Sequence, residues 1–592
     1  MESFRASVKD QKKTWQLINE VTGRKRPSSS LPSTFTIPTP TSTSVSPPTI
    51  TSDPSIIANG FNDFFCGIGP ELASNIDQNK FPNNCFKNYL GQKPDTSFTL
   101  LPVPIGNLIE IIKKLKNKSS SGSDLLSNTL LKLAMPHLLL PLKSLIDLSF
   151  ATGFVPQQVK IAKVIPLHKE GDKGVFNNYR PIAVISSVGK VIEKVVHQQL
   201  YGYLEVNKIL TPSQFGFRTH HGIEHPLTLF ANRVRMALNR GNHTMSLMID
   251  LKKAFDTVNY DILLAKLAHY GVTGMALSWF RSYLERTQYV LAGDVLSEVV
   301  KMLCGIPQGT CLGPLLFLIF INDLAFATSL LSLLFADDCT LQGEHSNLVD
   351  LFAMMNQQLT IAERWFNANL LTLNTKKTKY LLFSANKTSL LVLPELKIGL
   401  DIIERVGPGL KEESVRFLGV FIDEGLNFKQ HITKLKSKLG KGLYALATSK
   451  EHSPTRVRKS IYFSLFESYL RFGCLLYGCA SMVDLREVEI LQKKAVRHVA
   501  GAHSKAHTDP IYQSLRLLKL EDLIFLERVI FVHKYRHNKL PEAFTNEFLE
   551  PADLANLTRR QDPGYYLLPN NTHKSSLYSP ITQMANDWNS LP

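Results

Sequence analysis

Apolar residues along this chain alternate between helical and extended spacing, and the order of the two outlines a fold. Residues 7 to 22 read as a short basic amphipathic helix with Trp15, Leu17 and Ile18 on one side. From Pro27 to about Pro54 the chain is Ser/Thr/Pro-rich and nearly uncharged. So little apolar surface cannot offset the entropy of ordering, which predicts a disordered linker. Helical spacing returns from Ser55 to Asn75, with Ile57, Phe61, Phe64, Phe65 and Ile68 on one face, and again from Ile105 to Leu115. A further helix is predicted from Leu126 to Leu148, broken near Pro136 and Pro141. Val159 to Pro166 is extended, a polar turn follows at Lys169-Glu170-Gly171-Asp172-Lys173-Gly174, and Asn178-Tyr179-Arg180-Pro181-Ile182 resumes the run. This predicts a hairpin that presents Lys169 and Arg180. Ser187 is placed to cap a helix through Leu200, and a helix from about Tyr260 to Tyr270 follows the strand that ends at Asp250. Beyond Phe417-Leu418-Gly419-Val420 the spacing is helical, and Lys434, Lys436, Lys438 and Lys441 crowd the first helix.

Composition narrows the class. With 592 residues, 44% hydrophobic and 20% charged, the chain can bury a large core, and wholesale disorder is excluded. Lys plus Arg exceed Asp plus Glu by 67 to 50, a net charge of +17 that favours a polyanionic partner. Nucleic acid is the first expectation and an anionic membrane surface the second. The most apolar stretch, Leu312 to Phe335, is interrupted by Asn322 and Asp323, so neither half reaches spanning length, and Met1 to Asp10 carry no apolar signal region. No membrane partner and an intracellular location are expected. The seven cysteines form no Cys-x-x-Cys pair and no zinc spacing, and are read as reduced, mostly buried thiols.

Two acidic sites carry the chemistry. Asp250 ends the apolar run Met245-Ser246-Leu247-Met248-Ile249, and Asp337 and Asp338 end Leu333-Leu334-Phe335-Ala336. A charge at the end of a buried strand is costly without a cation or partner. Carboxylate clusters of this kind suit hard divalent cations such as Mg2+. Two such ions roughly 3.5–4 Å apart can activate an attacking oxygen and steady a leaving one during phosphoryl displacement. The leading expectation is a nucleotidyl transferase. Between the acids lies Gly305-Ile306-Pro307-Gln308-Gly309-Thr310-Cys311-Leu312-Gly313-Pro314, whose glycines permit close backbone approach to a ligand and whose Gln308 offers both donor and acceptor.

Taken together, these segments resemble the reverse transcriptase family of non-LTR (LINE-type, jockey-like) retrotransposons. In that resemblance Asp250 to Asp256 is motif A, Gly305 to Pro314 motif B, and Phe335-Ala336-Asp337-Asp338 motif C. It implies an α+β right-hand polymerase: a basic N-terminal helix (1–26), the linker (27–54), an N-terminal helical extension (55–155), fingers (156–242), palm (243–428), thumb (429–510) and a C-terminal helical extension (511–592). Asp250, Asp337 and Asp338 would bind two Mg2+ ions and catalyse, and Lys377, in the motif D stretch from Trp365 to Lys379, would protonate or neutralise departing pyrophosphate. Lys169, Arg180, Gln308 and Gly309 would meet the incoming deoxynucleoside triphosphate, while the Phe255 ring would exclude a 2′-hydroxyl. Gln214, Arg218 and Ala336 would lie on the template side, Leu418 and Gly419 in the primer grip, and Lys434 and Lys438 along the duplex of RNA template and DNA primer. Arg456, Arg458, Lys459, Lys493, Lys494 and Arg497 extend that basic surface. The family also implies work inside the cell as a ribonucleoprotein, nuclear and cytoplasmic.

The chain departs from the family pattern at Gly222-Ile223, where Ser-Thr is usual, and at Pro226, where a helix would run. Met1 falls within what resembles the linker after an endonuclease, so autonomous target cleavage is not expected. Two other readings compete: a catalytically silent nucleic-acid-binding relic or domesticated copy, and a viral RNA-dependent RNA polymerase, disfavoured by Phe255 and by Ala336 before the acid pair.

Overall fold

The computed structural model describes residues 11–21, 31–37, 49–76, 85–118, 120–384, 393–548, 566 and 579–591. Helix α1 (Gln11–Val21) buries Ile18 in the core. Strand β1 (Phe35–Ile37) pairs antiparallel with β2 (Thr49–Thr51), which corrects the expectation of disorder for the described part of 27–54. One aromatic residue accounts for the difference. The Phe35 ring stacks on Phe176 at 5.2 Å and meets Phe61 edge-on at 5.1 Å, and burying such a ring orders a short polar strand. Helix α2 (Pro54–Ser74) is capped by Asp53 and supplies that Phe61.

Helix α3 (Ile105–Lys114) precedes α4 (Asn128–Thr152), which is continuous through Pro136 and Pro141. The predicted break is absent. Both prolines lie on the exposed side, where water can satisfy the carbonyls that lose a partner. Among the described residues α4 alone is long and apolar enough to cross a membrane by length and composition. Its Leu131, Ile146 and Phe150 nonetheless pack in the protein core.

Strands β3 (Ile161–His168) and β4 (Tyr179–Val184) form the predicted hairpin, and α5 (Ser187–Val206) follows. The cap of α5 is Ser186, not Ser187: Gly189 N–H donates to Ser186 Oγ at 2.8 Å, while the buried Ser187 hydroxyl donates to Leu126 O. Helix α6 (Glu224–Asn239) accommodates Pro226 in its first turn, where a helix needs no internal donor. Then come β5 (His243–Ile249), α7 (Tyr260–His269), α8 (Gly274–Leu284) and β6 (Thr287–Ala292). β6 pairs in parallel with β3, so part of the stretch 243–428 joins the sheet of the preceding unit; the linear boundary predicted at 243 does not separate the two sheets.

Helix α9 (Gly313–Ile321) leads to β7 (Leu331–Phe335), β8 (Asp338–His345), α10 (Leu348–Ala368), β9 (Lys379–Phe383) and β10 (Glu404–Val406). The central sheet runs in the order β10-β9-β5-β8-β7, antiparallel except for β9 with β10. Alternation along β9 shows both faces covered: Tyr380 and Leu382 enter one core, Leu381 and Phe383 the other. On the first face an ion pair between Lys266 and Asp323, 2.6 Å apart with both side chains fully buried, ties α7 to the chain beyond α9. Phe320 O and Trp365 Nε1–H complete the pair's hydrogen bonds.

The second face packs against α6 and a helical C-terminal part. The hairpin β11 (Val415–Phe417) and β12 (Val420–Ile422) leads into α11 (Lys429–Ser449), α12 (Thr455–Tyr462), α13 (Met482–Ala500) and α14 (Leu520–Arg536). Helix α15 (Pro580–Asn589) packs on α6 and α14, and Ser579 Oγ–H donates to Asn232 Oδ1 at 2.6 Å. Much of the predicted C-terminal extension, 549–565 and 567–578, lies outside the described residues, as does 7–10 of the first helix. All seven cysteines are free thiols, three of them buried.

Candidate active site

Phe335 pairs with Asp338, so a two-residue turn, Ala336-Asp337, joins β7 to β8. Ala336 takes φ +58, a conformation that an L residue holds only with help from its neighbours. Gln214 supplies that help: its Oε1 accepts the Ala336 N–H at 3.0 Å and the Gly216 N–H at 2.8 Å. β8 also pairs antiparallel with β5, Cys339 opposite Ile249. One further step in that register sets Asp250 beside Asp338, at the roughly 5 Å spacing of paired residues. Asn374 clamps Asp250 by donating Nδ2–H to Oδ2 at 2.7 Å and its own N–H to the Asp250 carbonyl at 2.8 Å. Thr378 Oγ1 accepts the Asp250 N–H at 3.2 Å.

Negative charge collects at this edge. Burial pushes the Asp338 carboxyl up to about 6; repulsion from Asp337 and Asp250 adds to the shift and Arg416 opposes it. Burial raises Asp337 as well, with Asp250 adding and Arg180 and Lys169 opposing. Carboxylates that repel one another fit a shared hard cation, and the donor set is all oxygen. Among the described residues no three Asp, Glu, His or Cys side chains are grouped closely enough to hold a metal ion by themselves. The expected cations stand nearby. Lys169 and Arg180 project exposed from the β3–β4 hairpin, and Lys377 is exposed in the loop after α10. The Lys253 ammonium is pushed down, first by desolvation and then by the charges of Lys169, Arg180 and Lys377, while Asp256 opposes. Lys253 Nζ–H donates to Asn177 O at 3.3 Å. Four cations therefore share one field beside the aspartates.

The motif B loop is stitched to both neighbouring segments. Gly305 N–H donates to Val258 O at 2.8 Å, Ile306 N–H to Phe255 O at 2.7 Å, and Ala183 N–H on β4 to Gln308 O at 2.7 Å. Gly309 has φ +108, and a Cβ there would lie 2.8 Å from Ala183 O, so only glycine permits this approach. Gln308 Nε2–H donates to Asp256 Oδ1 at 2.9 Å. Behind the loop, buried Glu193 on α5 accepts N–H groups from Cys311 at 2.7 Å and Leu312 at 3.4 Å, and the Tyr283 hydroxyl at 2.7 Å. The half-buried Phe255 ring stacks on Phe317 at 4.4 Å, so core packing fixes its position.

Three residues expected on the template side are instead internal. Gln214 is 1% exposed and Ala336 4%. Arg218 is spent on a bidentate pair with Glu205, at 2.9 and 2.8 Å, and donates to Thr211 O at 2.9 Å. Gln214 holds the turn that carries Asp337, and Arg218 braces the preceding segment through Thr211 O and Gln214 O. Leu418 and Gly419, both with positive φ, form the tight turn between β11 and β12. That turn borders a cavity of about 520 Å³ whose wall includes Asp338, Met248, Arg416 and Phe472. Lys434, Lys438 and Lys441 line the exposed side of α11, whereas Lys436 is paired with Glu487 at 2.5 Å. Arg458 is buried and donates to Val499 O and Lys450 O, so it does not contribute to a basic surface, and the half-buried Lys459 donates its Nζ–H to Leu515 O. Sequence reasoning assigned no role to Asn374, Thr378, Arg416, Asp256 or Glu193. Asp256 lay inside the motif A segment and Asn374 and Thr378 beside Lys377, while Glu193 left a signal as an acid inside the apolar run Val191-Ile192-Glu193-Lys194-Val195-Val196.

Residues 167–422 match the sequence family described as reverse transcriptase (RNA-dependent DNA polymerase). The chain is 27% identical to the RNA-directed DNA polymerase from mobile element jockey of Drosophila melanogaster, over 76% of this chain and 50% of that protein. It is 26% identical to the jockey polymerase of Drosophila funebris, over 72% of this chain and 46% of that protein. It is 25% identical to the probable RNA-directed DNA polymerase from transposon BS of Drosophila melanogaster, over 77% and 53%. The chain thus spans about half the length of the curated relatives it matches. Residues 167–422, whose helices and sheets form an α+β fold, are thus similar to the reverse transcriptase family, in a chain similar to the jockey polymerases over about three quarters of its length.

Proposed function

We propose that this chain is an RNA-directed DNA polymerase that extends a DNA primer on an RNA template, acting inside the cell as a ribonucleoprotein. The observation that carries the reading is the register of β5, β8 and the Ala336-Asp337 turn, which brings Asp250 next to Asp338 at one sheet edge. Asp250 and Asp337, supported by Asp338, are the residues to hold two magnesium ions. When bound, these ions supply Lewis acidity to the attacking and leaving oxygens.

The protein's own groups position and neutralise. Lys169, Arg180 and Lys253 face the triphosphate of the incoming nucleotide, and Lys377 meets the charge of the departing pyrophosphate as the primer 3′-hydroxyl attacks the α-phosphorus. Phe255, backed by Phe317, closes the sugar position to a 2′-hydroxyl. Gln308 and Gly309 line the nucleotide site from the motif B loop. The Leu418-Gly419 turn and Arg416 border the primer terminus, and Lys434 and Lys438 track phosphates of the duplex without reading bases. In this reading 156–242 with β6 form fingers, the rest of 243–428 the palm, and 429–510 the thumb. Purified protein should incorporate deoxynucleotides only when RNA template, DNA primer and Mg2+ are all present. No incorporation under those conditions refutes the assignment.

A further inference from the structure

The bond between Asp256 and Gln308 has no part in the chemistry described so far. Asp256 lies at the far end of the motif A loop, six residues beyond Asp250, and is held hard in place. Its carbonyl oxygen accepts the Cys304 thiol at 3.5 Å. Glycine on two sides allows close packing around it: a Cβ at Gly69 of α2 would lie 2.5 Å from Asp256 O, and one at Gly305 would lie 2.8 Å from it. The adjoining bonds Gly305 N–H to Val258 O and Ile306 N–H to Phe255 O clamp the motif A and motif B loops together on either side. Asp256 cannot move without moving the nucleotide-facing loop.

Carboxylate chemistry then sets the orientation of the glutamine. An ionised carboxylate has acceptors only, so the NH2 end of the Gln308 amide must face it, as observed at 2.9 Å. Among the described residues the amide oxygen is then left as the free end. We propose that Asp256 is a positioning residue for Gln308, holding the amide oxygen outward as the acceptor for a hydrogen-bond donor on the incoming nucleotide. This inference rests on the polymerase reading above and deepens it.

The device is sensitive to proton concentration. Burial pushes Asp256 up to about 6, against the Gln308 bond and the Lys253 charge. Titratable groups around it include Cys304, ahead of motif B, Cys66 on α2 beside Cys304, and Tyr260 on α7, whose hydroxyl donates to Gly305 O at 3.0 Å and is held protonated by burial. Burial holds both thiols protonated and neutral in the range where Asp256 titrates. Below about pH 6 a protonated Asp256 can donate as well as accept, and the amide is no longer constrained to one orientation.

The experiment is steady-state primer extension on an RNA template from pH 5.5 to 8 with wild type, Asp256→Asn, Gln308→Ala and the double variant, fitting kcat and KM for the nucleotide separately. An asparagine amide in place of the carboxylate offers both donor and acceptor and does not titrate. Asp256→Asn should therefore raise the nucleotide KM on the order of tenfold at pH 7.5, the worth of one fixed hydrogen bond, leave kcat within about threefold, and make KM flat across the range. The wild-type KM should rise toward the Asp256→Asn value as pH falls. In the Gln308→Ala background Asp256→Asn should add nothing to KM. An Asp256→Asn enzyme that keeps the wild-type pH profile, or that adds its full effect without Gln308, overturns the proposal. A wild-type protein that makes no DNA overturns both this inference and the polymerase reading, whereas DNA synthesis with coincident profiles overturns this inference alone. Thermal unfolding of each variant confirms that a folded protein is compared.

Discussion

Replacing Asp338 by Asn should make the metal-free protein more stable, even though it removes a carboxylate proposed to serve the active site. The folded state raises the Asp338 carboxyl from 3.8 to about 6. Folding therefore favours the protonated form, and stability falls as pH rises from about 4 through 6. Above 6 the cost is complete. At full value that rise amounts to about 3 kcal/mol; the Asp338 carboxyl is partly desolvated at the sheet edge yet keeps contact with water, and solvent screening reduces the cost to about 1–2 kcal/mol. Asn keeps the shape and removes the charge, so Asp338→Asn should gain that amount at pH 7.5 in EDTA and nothing at pH 4. For a unit of 150–250 residues this is about 2–4 °C per kcal/mol in a thermal scan. Adding Mg2+ should stabilise wild type more than the variant, because a cation relieves the same repulsion. A variant no more stable than wild type in EDTA at pH 7.5, or one equally stabilised at pH 4, would refute the electrostatic account of this edge.

Three further outcomes follow from other contacts. Asp323→Ala should destabilise the protein by about 3–5 kcal/mol, because it strands the buried Lys266 ammonium; denaturant titration measures it, and a cost below about 1 kcal/mol would contradict the buried pair. Phe255→Val should admit ribonucleotides into the product and lose some stability through the missing stack on Phe317; unchanged sugar discrimination would leave Phe255 as a packing residue only. Lys434→Ala with Lys438→Ala should weaken duplex binding and lower the salt dependence by about one phosphate contact each, whereas Arg218→Ala should lower stability and leave the salt slope unchanged, since its guanidinium is already engaged by Glu205.

The sequence made the aspartates legible because each ends a run of residues that can only be a buried strand, so their place at a sheet edge followed from hydrophobicity alone. The β3–β4 hairpin was legible for the same reason, apolar runs flanking a glycine-bearing polar turn. What composition hid were contacts between distant segments. Gln214 and Ala336 meet across 122 residues, and nothing local distinguishes a glutamine that supports a strained turn from one that touches a template. Arg218 looked free because its partner Glu205 belongs to the preceding helix. Phe35 overturned the expected linker since a mean over a polar segment conceals one ring with an aromatic pocket waiting for it. The prolines of α4 were misread because their effect depends on which side faces water, which spacing alone did not settle. β6 crossed the expected boundary since parallel pairing with β3 joins strands more than a hundred residues apart.

The claim on which the account stands is that three carboxylates from two separate motifs act as one centre. The most direct measurement is single-turnover addition of one deoxynucleotide to a primer on RNA, at saturating Mg2+, by wild type, Asp250→Asn, Asp337→Asn and Asp338→Asn, with affinity for the primer–template measured on the same preparations. The account predicts that synthesis collapses in Asp250→Asn and Asp337→Asn while primer–template affinity is retained, with Asp338→Asn also impaired. Equal incorporation by wild type and all three variants would contradict it.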